Sequence, residues 1–290
     1  MTQYMNEKKY TIGVDVGGTK MAAVLFDGVK VLADYSLATP KDDLNNFLLM
    51  LGALIEPLKE RAKKDKVKIK GIGIGTPGVI EYRDHKLYNA PNLPFLNGTK
   101  IEELIREKLG AEFEVAVDND AKCFVRAESL VGAGRKYSSV FGITIGTGIG
   151  GGWWTGGKIF TGSSCPAMEI SLMVVDFKEK LDLERAYQKM TKNNPGSLAA
   201  EAYRGDPLAG KAFEEVGEYL GVALANIVNL LDPEIIIVGG GVMESSDLFL
   251  PEVKKSMKKF IVNPQSKEVK LVKAKLGKLA GAIGAALLIT

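Results

Sequence analysis

The chain has 290 residues, 46% of them hydrophobic and 25% charged, with a formal net charge of +3. That balance is ordinary for a globular protein and too weakly basic to argue for nucleic acid or an anionic membrane surface as a partner. A single histidine, His85, excludes a Ser-His-Asp hydrolase and a His-based zinc site, leaving carboxylates for any general base.

Met1–Lys9 has no apolar h-region, no window spans a membrane without charge or turn residues, and Cys123 and Cys165 form no pattern. A cytoplasmic protein is therefore expected. Tyr10–Val14, Met21–Phe26 and Val29–Tyr35 read as strands, with Asp27-Gly28 as a hairpin turn. Thr39-Pro40 is expected to open a helix with Leu44, Leu48, Leu51, Ile55 and Leu58 on one stripe, kinked or ended at Pro57. Lys68–Gly75 reads as a strand delivering Thr76-Pro77-Gly78, followed by a polar excursion over Glu81–Tyr88. Lys100–Leu109 reads as a helix, Phe113–Val117 as a strand and Asp120–Val131 as a helix.

Val140–Ile145 begins the same order again. A hairpin is expected around Gly156-Gly157, then an irregular polar stretch over Ser163–Asp176. Helices are predicted over Leu183–Met190, Ser197–Tyr203 and Pro207–Leu231, the last burying Phe213, Val216, Leu220, Ala223, Leu224, Ile227 and Leu230. A strand over Glu234–Val238 ends in Gly239–Gly241. A helix over Leu250–Phe260, a strand over Val269–Ala274 and a Gly/Ala-rich helix over Leu279–Leu288 close the chain. Alternating strands and helices with glycine turns at strand ends predict an α/β fold that binds its ligand at the carboxyl ends of the strands.

Two glycine turns stand out. Ile145–Gly152 follows an apolar run, and Val16–Lys20 follows the strand ending at Asp15. Each is a strand followed by a Gly/Thr turn, a form that lets backbone N–H groups converge on an anion. The same glycines would also serve plain hairpins. A pair of such turns suggests two similar halves acting on one polyphosphate.

Asp15-Val-Gly-Gly-Thr-Lys20, Gly75-Thr-Pro-Gly78, Ala90-Pro-Asn-Leu-Pro94, Asn119-Asp120-Ala121, Gly146-Thr-Gly-Ile-Gly-Gly151, Ile237-Val-Gly-Gly-Gly241 and Leu279-Ala-Gly-Ala-Ile-Gly-Ala285 follow one another in order. The chain in this respect resembles the ROK family of sugar kinases, glucokinases foremost, and related repressors. The resemblance implies a two-domain actin-like ATPase (ribonuclease H-like) α/β fold, with duplicated βββαβα halves and an interdomain cleft. The division expected is 1–117 with 276–290, against 118–275. The implied activity is transfer of the γ-phosphoryl group of ATP to a hexose hydroxyl, glucose being the default acceptor. An N-acyl hexosamine, another hexose or a polyol is the alternative, as is a non-catalytic sugar-binding regulator.

On that resemblance Asp120 is the general base, although Asp at a helix start also serves as an N-cap. ATP would meet Gly17, Gly18, Thr19 and Lys20, then Gly146, Thr147 and Gly148, with Gly239, Gly240 and Gly241 beside the adenosine. Asp15 would hold Mg²⁺ through a water. Asn92, Asn119, Glu169, Glu184 and Gly78 would line the sugar. Glu184 has an alternative, electrostatic use at a helix start.

There are departures. Met168 and Ser171 replace family glycines, and Leu172 replaces a sugar-binding histidine. Lys122 replaces an asparagine and is expected to point to solvent; Asp118 is assigned no role. Nothing resembles the family's cysteine-rich zinc loop, so no zinc is expected. Trp153-Trp154 could stack on a ligand, with core packing preferred. The partners implied are the sugar and ATP, without nucleic acid or membrane. The family often dimerises, but this sequence shows no interface.

Overall fold

The computed structural model describes residues 9–81, 84–90, 92–110 and 113–289. The residues before Lys9, Tyr82 and Arg83 of the polar excursion, and Pro91 of the Ala90–Pro94 motif lie outside the described residues. The chain forms two compact units. One comprises the chain through Val131, Thr161–Ala167 and the residues from Lys278 on; the other comprises Gly132–Phe160 and Met168–Gly277.

In the first unit β1 (Lys9–Val16), β2 (Lys20–Phe26) and β3 (Val31–Ala38) form an antiparallel meander. The turn before β3 is fixed by Asp27 Oδ1, which accepts from Val29 N and Lys30 N, so the strand begins later than periodicity alone suggests. Helix α1 (Leu44–Lys64) starts after an N-cap at Asp43, not at Thr39-Pro40. It also runs through Pro57. Leu54, Ile55, Leu58 and Ala62 continue the buried stripe past the proline, and their burial outweighs the one backbone bond it removes. Next come β4 (Lys68–Thr76), a pair of two-residue antiparallel strands, β5 (Val79–Ile80) and β6 (Leu87–Tyr88), then α2 (Ile101–Leu109), β7 (Glu114–Asn119) and α3 (Asp120–Leu130). The sheet order is β3-β2-β1-β4-β7, with β1, β4 and β7 parallel.

The second unit repeats this plan. Its elements are β8 (Val140–Ile145), β9 (Ile149–Thr155), β10 (Lys158–Ile159), a small hairpin of β11 (Val174–Asp176) and β12 (Leu181–Asp182), α4 (Leu183–Thr191), α5 (Pro195–Tyr203), α6 (Pro207–Leu231), β13 (Ile235–Gly239), α7 (Leu250–Phe260) and β14 (Lys270–Lys273). The sheet order is β10-β9-β8-β13-β14, again an antiparallel meander beside parallel strands. Phe141, Ile143 and Ile236 of the sheet pack in one core with Phe213, Leu220 and Leu224 of α6 and Phe249. Leu230 is not among them: it is 75% exposed, because the buried face of the last turn is carried by Ile227, Val228 and Leu231, and Leu230 stands about 100° round the helix from Leu231.

The chain then returns to the first unit as α8 (Ala280–Ala286). Gly73 of β4 and Gly13 of β1 have their reason here. A Cβ at Gly73 would stand 1.8 Å from the Ala285 carbonyl oxygen, and one at Gly13 would stand 1.9 Å from that of Ala282. Only bare backbone lets α8 lie this close to β1 and β4. A Cβ at Gly284 would in turn stand 1.7 Å from the Cys123 carbonyl oxygen, so α8 and α3 touch backbone to backbone. That packing holds α3 in the first unit, whose leading segment runs through Val131.

Candidate functional site

Strand β1 carries Asp15 to its carboxyl end, level with Gly75 of β4. The turn after it is braced from within and from outside. Gly17 N donates to Lys20 O (3.0 Å), Thr39 Oγ1 donates to Gly17 O (2.7 Å), and Thr39 N donates to Thr19 O (3.0 Å). Thr39, read from sequence as a helix opener, is a buried brace of this turn. Gly17 and Gly18 are half-buried, while Thr19 and Lys20 are exposed. Asn92 lies against the turn, with its Cγ 3.0 Å from where a Gly18 Cβ would be.

Asp120 is the first residue of α3, and the N-cap is its neighbour Asn119. Asn119 Oδ1 accepts from Lys122 N (3.2 Å), while its Nδ2 donates to Gly78 O (2.9 Å), tying the Thr76–Gly78 turn to α3. Asp120 Oδ1 accepts from the next amide, Ala121 N (2.8 Å). Burial pushes the Asp120 carboxyl up, partly opposed by that amide. Burial, followed by the charge of Asp120, pushes Asp15 up to about 7. Two half-buried carboxylates crowded in this way hold a proton to higher pH than a free carboxylate would, or attract a cation. Gly281, in the first turn of α8, gives Asp15 its place: a Cβ there would come within 2.5 Å of Asp15 Oδ2. Asp118 is drawn off to Arg126 (2.9 Å).

Lys122 corrects an expectation. It is 5% exposed rather than solvated, and its Nζ donates to the Cys165 carbonyl oxygen (2.5 Å). The first turn of α3 faces the Thr161–Ala167 segment instead of water, and the long side chain reaches that segment's backbone. Cys123 beside it is a buried thiol, pushed well up chiefly by that burial.

In the second unit Gly146–Gly148 and Gly239–Gly241 follow the adjacent parallel strands β8 and β13. Gly240 has φ of +95°, and a Cβ on it would lie 2.2 Å from the Ile145 carbonyl oxygen, so the second turn sits directly on the end of β8. The first turn closes through Gly146 N donating to Gly148 O (2.9 Å).

Glu184, in the first turn of α4, meets this turn. Its Oε2 accepts from Ile149 N (2.7 Å) and its Oε1 from Gln188 Nε2 (2.8 Å). Burial raises its carboxyl. Glu169 precedes the short 3-10 turn Ile170–Leu172, which joins the start of α4 through Leu183 N donating to Met173 O (2.9 Å). Met168, where the resembled family has glycine, takes φ of +74°, a strained value for its side chain. Leu172 is 59% exposed. Trp154 is buried, and Trp153 donates from Nε1 to Ser139 Oγ (3.0 Å), so both tryptophans pack within the fold.

The first unit therefore gathers Asp15, Gly17–Lys20 and Asn92 at one strand end, and Gly78, Asn119 and Asp120 at its neighbour. The second gathers Gly146–Gly148, Gly239–Gly241 and Glu184, with the Glu169 segment joined to α4. Sequence reasoning gave no site role to Thr39 or to Gly281 of the Leu279–Ala285 motif, and missed Gln188 and Tyr187, whose hydroxyl donates to Gly146 O (2.8 Å). The one available signal was spacing: Tyr187 and Gln188 stand three and four residues after Glu184, which places them beside it on a helix.

The family model described as "ROK family" matches residues 11–290. An N-acetylgalactosamine kinase of Shewanella sp. (strain ANA-3) is 31% identical, over 95% of this chain and 95% of its own length. A glucokinase of Streptomyces coelicolor is 29% identical over 95% of this chain and 96% of its own. A solved ROK family glucokinase from Streptomyces griseus, in complex with glucose and AMPPNP, matches with a TM-score of 0.80 at 26% identity, covering 97% of this chain and 99% of that one.

Proposed function

Since the chain belongs to the ROK family, we propose that it is an ATP-dependent sugar kinase in which Asp120 takes the proton of the acceptor hydroxyl. The observation that carries this reading is the Asp15–Asp120 pair. It places a carboxylate of raised basicity next to a second carboxylate at a braced Gly/Thr turn. A base whose pKa rises toward the working pH binds the transferred proton more strongly, as the attacking oxygen requires. As the acceptor oxygen bonds to the γ-phosphorus, the bond from that phosphorus to the β,γ-bridging oxygen breaks and ADP leaves.

Gly17–Lys20 and Gly146–Gly148 present backbone N–H groups to the phosphates in this reading, and Gly239–Gly241 borders the adenosine. Asn119 holds Gly78 in place while Asn92, Glu169 and Glu184 serve the sugar. Asp15 suits a hydrated Mg²⁺, because a carboxylate raised by burial and then by a like-charged neighbour is relieved by a divalent cation. When bound, the ion neutralises charge developing on the β- and γ-phosphate oxygens.

Glucose is the default acceptor only because glucokinases are the family's commonest members; N-acyl hexosamines stand level with it, since relatives named for each are of nearly equal identity, 29% and 31%. The test is ADP release with ATP and Mg²⁺ over hexoses, N-acyl hexosamines and polyols, repeated with Asp120→Asn. Turnover with one acceptor is expected, lowered on the order of 10²–10⁴-fold in the variant with both substrates still bound. A variant with near-normal kcat sinks the assignment of the base. Sugar binding by calorimetry without turnover on any acceptor would turn the reading to a sensor.

A further inference from the structure

The geometry points to helix α4 as the brace of the phosphate turn, with Tyr187 and Glu184 as positioning residues for the phosphoryl donor. The inference rests on the kinase reading and assigns work on the nucleotide side of that site to a helix the reading gives to the sugar. Turn Gly146–Gly148 has one anchor at each end, and both come from α4. At its start the Tyr187 hydroxyl donates to the Gly146 carbonyl (2.8 Å); just after it, Glu184 Oε2 accepts from Ile149 N (2.7 Å).

The two anchors stand one helical turn apart on the same face, so a rigid element sets the distance between a carbonyl and an amide of the turn. Gln188, one turn after Glu184, donates to its other oxygen (2.8 Å) and fixes its rotamer. The last residue of the turn is pressed by the same carboxylate: a Cβ at Gly148 would lie 2.8 Å from Glu184 Oε1, so a larger residue there would displace the Glu184 anchor.

Tyr187 is 1% exposed, and α4 itself is held by its Asp182 N-cap, which accepts from Arg185 N (2.8 Å). A turn that must aim several N–H groups at a phosphate is sensitive to small displacements, because each hydrogen bond weakens steeply with misalignment. The consequence is specific. Loss of the Tyr187 hydroxyl should weaken the nucleotide and leave the acceptor alone.

The experiment compares wild type, Tyr187→Phe, Gln188→Met and, as a control, Tyr219→Phe. Tyr219 makes a comparable hydrogen bond in the same unit, to Asp176 Oδ2 (3.0 Å), away from this turn. The readouts are Tm, KM for ATP and for the acceptor, and calorimetric affinity for Mg·AMPPNP.

Tyr187→Phe is expected to raise both KM for ATP and Kd for AMPPNP by roughly 3- to 10-fold, the worth of one hydrogen bond, with acceptor KM unchanged. Gln188→Met should move the same constants in the same direction, by less. Tyr219→Phe should change at most Tm. If Tyr187→Phe lowers Tm as the control does and leaves both nucleotide constants in place, the brace is structural only and the inference falls while the kinase stands. If wild type neither binds AMPPNP nor turns over, the kinase reading falls and the inference with it.

Discussion

At the scale of single residues, the most informative group is Asp15. Its carboxyl is held at about 7, first by burial and then by the charge of Asp120, against an ordinary value of 3.8 in the unfolded chain. The sign follows from linkage. Below about pH 4 the group is protonated in both states and has no effect on stability. Between about 4 and 7 the unfolded chain gives up its proton first, so stability falls as pH rises; above that the loss is constant. Asp15→Asn removes the charge without changing the shape. In buffer freed of divalent cations, the variant should be about 1–3 kcal/mol more stable than wild type at pH 8 and equal to it at pH 4, allowing for screening of a partly covered group. Denaturant titrations at the two pH values measure this directly. Equal stability at pH 8 would show that Asp15 is not strained by its surroundings, and would weaken the case for a cation beside it.

At the scale of elements, helix α6 shows both what periodicity reveals and where it stops. Its bounds, Pro207–Leu231, were readable from Asp206-Pro207 and the apolar stripe, and Leu224 is buried at 2%. Leu230 reads as part of the same stripe but is 75% exposed, because it lies at the stripe's edge while Val228 and Leu231 carry the buried face to the end of the helix. Leu224→Ala should therefore cost about 2–5 kcal/mol and Leu230→Ala less than about 0.5, read from the shift in denaturant midpoint. Similar costs at both positions would place another surface over Leu230.

The same distinction runs through the rest of the chain. Strand β8 and helix α7 match their expected bounds because composition changes sharply at both ends. The β5–β6 hairpin and the burial of Lys122 were not legible, since both depend on segments distant in sequence: Gly98 N donates to Leu87 O (2.8 Å), and Lys122 reaches Cys165. Within the candidate site, glycine turns and carboxylates announce themselves as residue types. Their supports, Thr39, Tyr187 and Gln188, are ordinary residues that acquire a role only through contact.

At the scale of the whole molecule, the chain has two cores that share no residue. One is built on Ile12, Val14, Leu54, Ile72 and Ile74, the other on Phe141, Phe213, Leu224 and Ile236. Both have the size at which a unit can unfold cooperatively by itself. The sequence also supplies a selective reporter: its two tryptophans, Trp153 and Trp154, are both on β9, in the second unit. Tryptophan fluorescence therefore follows the second core, whereas far-ultraviolet circular dichroism follows helices of both. Ile74→Ala, at a position 1% exposed in the first core, should remove about 2–5 kcal/mol there. The expected result in guanidinium is a dichroism curve that shifts to lower denaturant and broadens, with the fluorescence midpoint unmoved. Leu224→Ala should do the reverse, moving the fluorescence midpoint and only part of the dichroism. If Ile74→Ala instead moves both curves together by the same amount, the cores unfold as one cooperative body, and stability measured at any one residue is a property of the entire chain.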